Sequence, residues 1–530
     1  MVLMGDVDLV KNLRGRSVPT SVDGREFEPY STHLGIKPHV KREIGRRTRH
    51  RNPGDPKILA SIDEAITKTG LSDGMTISFH HHLRNGDMVL NMVLERIRKK
   101  GIKDLKLLPS ALFPVHEPVV EAIKDGTVTS IEGSMNGPVG RHVSLGNMHK
   151  TAILRSHSGR VRALSQGEVK IDVAFLGASC CDHLGNCNGL NGNSAFGPIG
   201  FGFADALFAD KTVVITDGLV DFPCIPIGIP GTNVDHVVKV DSIGDPSGIL
   251  SGTLQITDRP DHLKIVDLTM KIMDEVGLFK DGFAFQAGAG GISLTLTKYI
   301  SDLFARRGLV ASYANGGTTK YLVEMLHRGN LKTLLTGQAF DIETIRSLIE
   351  DRNHITIDVD QYSNIHSGAT TTETEQAAFL GATEVDIDFN VNVNTHSDGY
   401  LLHGIGGHQD VAYGSQLTFV TVPLARKGNP IVKEKVTTIT TPGELIDVIV
   451  TEKGFSINTS TVRNKARQRN QEMEERCIKA GLPVHDIDRL RKMALAGAAG
   501  EIEPELGNEV VALIQYIDGT IVDKVLRVEK

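Results

Sequence analysis

Two stretches of this chain run through the same order of elements. TISFHHHLRNGDMVLNMVLERIRKKGI (76–102) reads as a strand, a polar loop, an amphipathic helix, then a basic pair and a glycine before an apolar residue; FAFQAGAGGISLTLTKYISDLFARRGL (283–309) repeats that order. From Phe79 to Ile102 is 23 residues, and from Phe285 to Leu309 is 24. A strand joined to a helix by a short loop, met twice at near-equal spacing, predicts an α/β chain made by tandem duplication. Other segments agree. Apolar runs at 75–79, 171–177, 212–216, 236–240, 282–285, 309–312, 355–359 and 447–451 read as strands, several of them continuous as buried parallel strands are. Helical periodicity occupies 87–100, 258–276, 292–307, 320–328 and 342–351. The expected organisation is an N-terminal extension over 1–53 and two domains over 54–278 and 279–530.

Composition narrows the function classes. With 530 residues, a net charge of −6, 40% apolar and 23% charged residues, the chain is globular and long enough for two large α/β domains. No stretch approaches the ~18 apolar residues of a membrane span, so a soluble, cytoplasmic, non-membrane protein is expected. The absence of Trp and only 8 Tyr leave few stacking platforms for nucleic acid. The basic stretch KPHVKREIGRRTRHR (37–51) is read as a solvated arm on an acidic body, with no nucleic-acid partner. Five cysteines, with Cys180 and Cys181 adjacent, suit reduced thiols. CCDHLGNC (180–187) holds residue types that bind zinc, but no second ligand pair follows; a strand-end loop without a metal is expected.

Glycine is in surplus, 55 residues or about 10% against a usual ~7%. At 287–292, AGAGGI lies between a strand and a helix, where Gly288, Ala289, Gly290 and Gly291 could cradle a pyrophosphate or donate to an oxyanion. It is not the dinucleotide G-x-G-x-x-G, because position 293 is Ser, and no G-K-[ST] follows. Asn315-Gly316-Gly317 is expected between a strand and the helix at Lys320, and Gly404-Ile405-Gly406-Gly407-His408-Gln409-Asp410 repeats a G-x-G-G pattern.

TEVDIDFNVNVNTHSDG (383–399) alternates, with Val385, Ile387, Phe389, Val391 and Val393 on one face and Asp386, Asp388, Asn390, Asn392 and Asn394 on the other. That polar face is either solvated or leads Asn392, Asn394, Ser397 and Asp398 to a ligand. Of His80, His81 and His82, at most two can reach one site from a strand; an anionic substrate is preferred over a metal, for want of H-E-x-x-H. No nucleophile elbow or kinase set occurs, and Cys181 is not expected to be a nucleophile.

Together FHHHLRNGD, DGFAFQAGAGGISL, IDFNVNVNTHSDG, GIGGHQD with YGSQL, TPGELIDVIVTEKGFSIN and the tail VVALIQYIDGTIVDKV resemble the α subunit of citrate lyase, the citrate CoA-transferase, over nearly the whole chain. The resemblance implies two tandem related CoA-transferase-type α/β/α domains. It implies exchange of acetyl for citryl on a carrier-bound thioester, through an acyl-citrate anhydride. No tightly bound cofactor is implied; the substrate thioester is on the phosphopantetheine prosthetic group of the acyl carrier subunit, or is acetyl-CoA. Partners implied are the β (lyase) and γ (acyl carrier) subunits, with homo-oligomers in the complex. Gly290 and Gly291 would then act on the oxyanion, with Gly288, Ala289, Asn315, Gly316, Gly317, Gly404, Gly406 and Gly407 along the arm. His408 and Asp410 would position groups or handle protons, or brace the loop. Relatives that form a glutamyl thioester carry a Glu nucleophile in the second half, in some of them within S-E-N-G; no S-E-N-G occurs here, and Leu335-Thr336-Gly337-Gln338 occupies the comparable stretch. Where Arg-Gly-Arg-x-Pro is expected, the chain has Arg426-Lys427-Gly428-Asn429-Pro430, so a carboxylate clamp loses one charge and a citramalate-type acid stays open. Also open are a glutamate-dependent acyl-CoA transferase or hydrolase, a non-catalytic CoA-ester-binding scaffold and a sugar-phosphate isomerase.

Overall fold

The computed structural model describes residues 9–31, 52, 54–249, 255–288, 290–460 and 466–529; the basic stretch 37–51 and Ala289 lie outside the described residues. Strands β1 (Ile58–Leu59), β2 (Thr76–Phe79), β3 (Leu105–Pro109), β4 (Val128–Ile131), β5 (Val173–Ala178), β6 (Lys211–Thr216) and β7 (His236–Lys239) form one sheet in the order β4-β3-β2-β5-β6-β7-β1. All its neighbours are parallel. A second sheet contains β8 (Ala284–Ala287), β9 (Ala311–Thr318), β10 (Leu331–Ala339), β11 (His354–Thr356), β12 (Ala377–Leu380), β13 (Leu417–Thr421), β14 (Val448–Thr451) and β15 (Gly454–Ile457), ordered β11-β10-β9-β8-β12-β13-β14-β15. Only its β14–β15 hairpin is antiparallel.

Without the edge strands β1, β11 and β15, both sheets read third, second, first, fourth, fifth, sixth. Chain direction therefore reverses between β2 and β5 and again between β8 and β12, the two places where such sheets open a crevice. The central strands are covered on both faces, so every residue of β5 and of β8 is buried, the polar Gln286 of β8 included. The repeated helices are α1 (Val89–Lys99) and, in the second half, α3 (Gly291–Arg307); α2 (His157–Ser165) and α4 (His408–Gly414) each supply a piece of the site. Helix α1 buries Val89, Leu90, Val93, Leu94 and Ile97 on one stripe, and Arg96, Arg98 and Lys99 close its C-terminus where the helix dipole favours cations. Both repeated helices stop at a glycine in the left-handed region, Gly101 (φ 74°) and Gly308 (φ 64°).

Several expectations change. Residues 385–394 are not one strand. Glu384–Asp386 turns back on Val391–Asn392, with Phe389 at φ 61°, because the Asp386 carboxylate accepts the amides of Asp388 (3.0 Å) and Asn390 (2.9 Å) and stabilises a turn. Asn315, Gly316 and Gly317 fall within β9, which continues to Thr318 past an irregularity at Gly316/Gly317. The strand expected over 355–359 ends at Thr356; Asp358 caps a short helix, Val359–Ser363. The helix Pro260–Glu275, placed at the end of the first domain, buries Ile265, Val266, Ile272 and Met273 with Phe283, Phe285 and Phe304 of the second sheet's core.

The chain ends meet. The strand Leu506–Gln515 pairs with Ile521–Val528 and also, in parallel, with Ala152–Leu154 of the first half. Val18 and Val22 of the N-terminal extension pack on Val510, Leu513 and Ile521. No helix among the described residues is long and apolar enough to cross a membrane.

Candidate active site

A cavity of about 670 Å³ lies where the C-terminal ends of β2 and β8 face each other, so both direction reversals open into it. At the end of β8, Gly290 is the N-cap of α3 without a side-chain cap, and the amides of residues 290–293 have no acceptor among the described residues. Glycine is what leaves this row open: a Cβ built on Gly290 meets no heavy atom within 4 Å. Gly288 and Gly291 line the same wall, with Phe379 O 3.3 Å and Gln255 O 3.1 Å from the corresponding Cβ positions. Gly316, at φ 96°, lies under the Tyr362 hydroxyl, and Gly317 is covered by the Phe340 ring, 2.1 Å from its built Cβ; side chains there would displace the wall. Asn315 is fully buried behind it, donating to Thr371 Oγ1 at 2.6 Å.

The three histidines divide their tasks. His80 Nε2 lies 3.0 Å from Gly177 O, and His82 Nε2 lies 3.4 Å from Asp87 Oδ1, both rings buried. Burial would raise Asp87, but His82, His116 and the Val89 amide outweigh it and hold the carboxyl below its usual range. His81 also lines the cavity, its Nδ1 2.6 Å from Ser110 Oγ. Burial pushes His80 down to about 3 and takes His81 well below its ordinary value, so neither carries charge at neutral pH.

From the other half, Gly406 and Gly407 face His157 of α2, and Gly404 packs on Ser134 and donates to its Oγ at 2.7 Å. His408 touches the cavity with both ring nitrogens engaged, Nδ1 with Thr441 Oγ1 (2.7 Å) and Nε2 with Gly381 O (3.1 Å); burial lowers it to about 4. Asp410 is fully buried behind the wall. It accepts the Ser158 amide at 3.1 Å and the Ser158 hydroxyl, joining α4 to the start of α2.

Four residues expected at the substrate lie elsewhere. Asn392 donates to Glu384 (3.0 Å), Asn394 lies between His403 O and Thr440, Ser397 accepts from Asn429 (2.9 Å), and Asp398 accepts the Tyr400 amide (3.2 Å). None lines the cavity; Val393 does. Instead the wall includes Arg84, His157, the 196–201 loop, Gln338, Tyr362 and Arg426. Arg84 and Gln338 stand inside stretches that the sequence singles out, but a lone polar residue has no periodicity to mark it. Arg426 donates to Ala382 O (3.2 Å), whereas Asn429 turns away to Ser397. Among the described lining residues there is no Asp, Glu or Cys. Cys180, Cys181, Cys187 and Cys224 are buried apart from it, and no group of three or more His, Cys, Asp or Glu among the described residues could hold a metal.

Two largely parallel sheets of matching strand order, with a glycine-lined crevice at their reversals, define a doubly wound α/β protein built of two like halves. The sequence model of "Citrate lyase, alpha subunit (CitF)" matches residues 55–528, and the chain belongs to that family. It is 39% identical over 503 residues to the citrate lyase alpha chain of Klebsiella pneumoniae, covering 94% of this chain and 96% of that one. It is 38% identical over 478 residues to the citrate lyase alpha chain of Escherichia coli K12, covering 90% and 92%. A Streptococcus mutans structure described as an alpha subunit of citrate lyase in complex with citrate superposes with a TM-score of 0.92 at 39% identity, over 98% of this chain and 100% of that one. An Acinetobacter baumannii malonate decarboxylase alpha subunit, at 13% identity and a TM-score of 0.61 over 84% of this chain and 93% of that one, shares the fold.

Proposed function

We propose that this chain is a citrate CoA-transferase, exchanging acetyl for citryl on a thioester. The observation that carries the mechanism is the wall itself: open backbone donors at 290–293 with no carboxylate or thiol among the described lining residues. Without an enzyme nucleophile at hand, the attacking carboxylate is the substrate's own. A citrate carboxylate oxygen bonds to the acetyl carbonyl carbon, the C–S bond breaks, and the arm leaves as thiolate. The thiolate then attacks the citryl carbonyl of the mixed anhydride, its C–O bond breaks, and acetate departs with one oxygen that came from citrate. Each addition builds an oxyanion that the amides beside Gly290 and Gly291 are placed to receive, and the dipole of the 17-residue α3 adds to them. Holding both reactants in one cavity contributes the rest.

The arm is the phosphopantetheine of a carrier subunit, or acetyl-CoA in its place, and extends along Gly288, Gly316 and Gly407. Membership of the family supports a multisubunit complex, with a lyase subunit cleaving the citryl thioester and an acyl carrier subunit bringing it; all five cysteines are free, as in a reducing cytoplasm. Incubating the purified chain with acetyl-CoA and citrate tests the function: citryl-CoA and acetate form in equal amounts. Absence of both removes it. Borohydride added with acetyl-CoA leaves the chain unreduced; a reduced glutamyl residue would replace the anhydride route with a glutamate-dependent one.

A further inference from the structure

Arg84 stands in a 3-10 turn, Arg84–Gly86, with φ 53°, a conformation that long side chains seldom adopt. The surroundings enforce it. The turn is tied by Arg84 N to His81 O (3.2 Å) and Gly86 N to Leu83 O (2.9 Å), and Gly86 lies so close to Asp245 that a Cβ would come within 2.0 Å of its carbonyl. The guanidinium is thereby held near Phe113 (5.3 Å) and Phe340 (4.9 Å), one ring from each half of the chain.

No carboxylate of the described residues lies within ion-pair distance of Arg84. A half-buried cation without a counter-ion is a costly arrangement unless a ligand supplies the anion. A second chamber of about 240 Å³ opens beside it and shares His81, Arg84 and His157 with the main cavity. Its own wall adds Ser110, Ser134 and Asn136. The other charges there are satisfied: Arg155 by Glu132 and Glu168 (3.1 Å), Arg160 by Asp205 (2.7 Å), and Glu132 also by Arg25 (2.6 Å) and Lys106 (2.8 Å). Arg84 is thus the chamber's one uncommitted charge among the described residues.

We propose that Arg84 is the carboxylate anchor of the acid substrate and that the 240 Å³ chamber receives the body of a small hydroxy-polycarboxylate, leaving the larger cavity to the thioester arm. Arginine suits this place because its planar fork meets a carboxylate through two parallel hydrogen bonds, which a lysine ammonium does not reproduce. Ser110, Ser134 and Asn136 supply hydroxyl and amide partners for the remaining oxygens.

The assignment rests on the transferase reading for the identity of the acid, and its test is therefore binding as well as turnover. Citrate is titrated calorimetrically into the full chain and into Arg84→Gln and Arg84→Lys, and KM is measured separately for citrate and acetyl-CoA. Arg84→Gln weakens citrate on the order of 10- to 100-fold, the worth of a charge-assisted pair, and Arg84→Lys falls between. KM for acetyl-CoA stays within about twofold of the parent value. Unchanged citrate affinity in Arg84→Gln, or equal weakening of citrate and acetyl-CoA, overturns the proposal. If Arg84→Gln does not fold, Arg84→Lys decides by the same comparison. A parent chain that binds citrate without transferring acyl groups removes the transferase reading while the titration still decides Arg84; a parent chain that does not bind citrate overturns the anchor.

Discussion

At position 290 a side chain would project into open space, since a Cβ there meets nothing within 4 Å and the backbone, at φ −78°, accepts any L residue. Gly290→Val should therefore lower kcat on the order of 10²-fold by filling the approach to the amides, while the melting temperature moves by less than about 2 °C. Parallel losses of activity and stability would make Gly290 a packing residue. Behind the wall, burial pushes Glu375 up to about 8 from an ordinary 4.5, with Ser415 Oγ donating to it at 2.8 Å. The native state keeps a proton that the unfolded chain releases above about 4.5. This stabilising contribution is complete below that pH and is lost as pH rises through about 8. Melting temperature should fall between pH 6 and 9, and Glu375→Gln should flatten the fall; identical pH profiles would contradict it. Glycines are legible in sequence because their backbone role is intrinsic to the residue. The side chains of Arg84, Gln338 and Glu375 gain their meaning only from partners far along the chain, as Glu375 does from Ser415 and Arg84 from Phe340.

Among the elements, repeated strand, loop and helix units were readable because each is local: β2 with α1 and β8 with α3 are where the periodicity puts them. The polar alternation at 385–394 misleads for a physical reason, since Asp386 spends its carboxylate on amides two and four residues on and folds the segment back on itself. Missed strands such as β3, β10 and β12 are short or mixed in pattern and depend on parallel neighbours at long sequence separation. The link between α2 and α4 belongs to this scale, because Asp410 holds the α2 start that positions His157, whose amide donates to Gly406 O at 2.9 Å. Asp410→Asn should keep kcat within a few-fold, and Asp410→Ala should cost about 1–3 kcal/mol of stability by orphaning the Ser158 donors. Loss of 10² or more in kcat for Asp410→Asn would instead make the carboxylate a proton carrier.

Taken as a whole molecule, the two halves are tied by the chain ends. Val511, Leu513, Ile514, Ile517 and Ile521 are buried, and at ~1.5–3 kcal/mol for each large side chain their removal rivals a typical net stability of 5–15 kcal/mol. A chain ending at residue 505 should lose its cooperative melting transition in calorimetry, and a retained transition would contradict that role. The duplicated α/β plan was open to sequence reading, but the meeting of tail, extension and first half was not, because the pairing of Ala152 with Ala512 spans most of the chain. The central claim is that citrate's own carboxylate, and not one from the enzyme, attacks the thioester in a cavity assembled from both halves. Single-turnover reaction of acetyl-CoA with citrate labelled with ¹⁸O in its carboxylates tests it directly. The anhydride route places one labelled oxygen in the acetate released in the first turnover and none in the protein. Unlabelled acetate in that turnover, with the label found on a carboxylate of the chain, would contradict it.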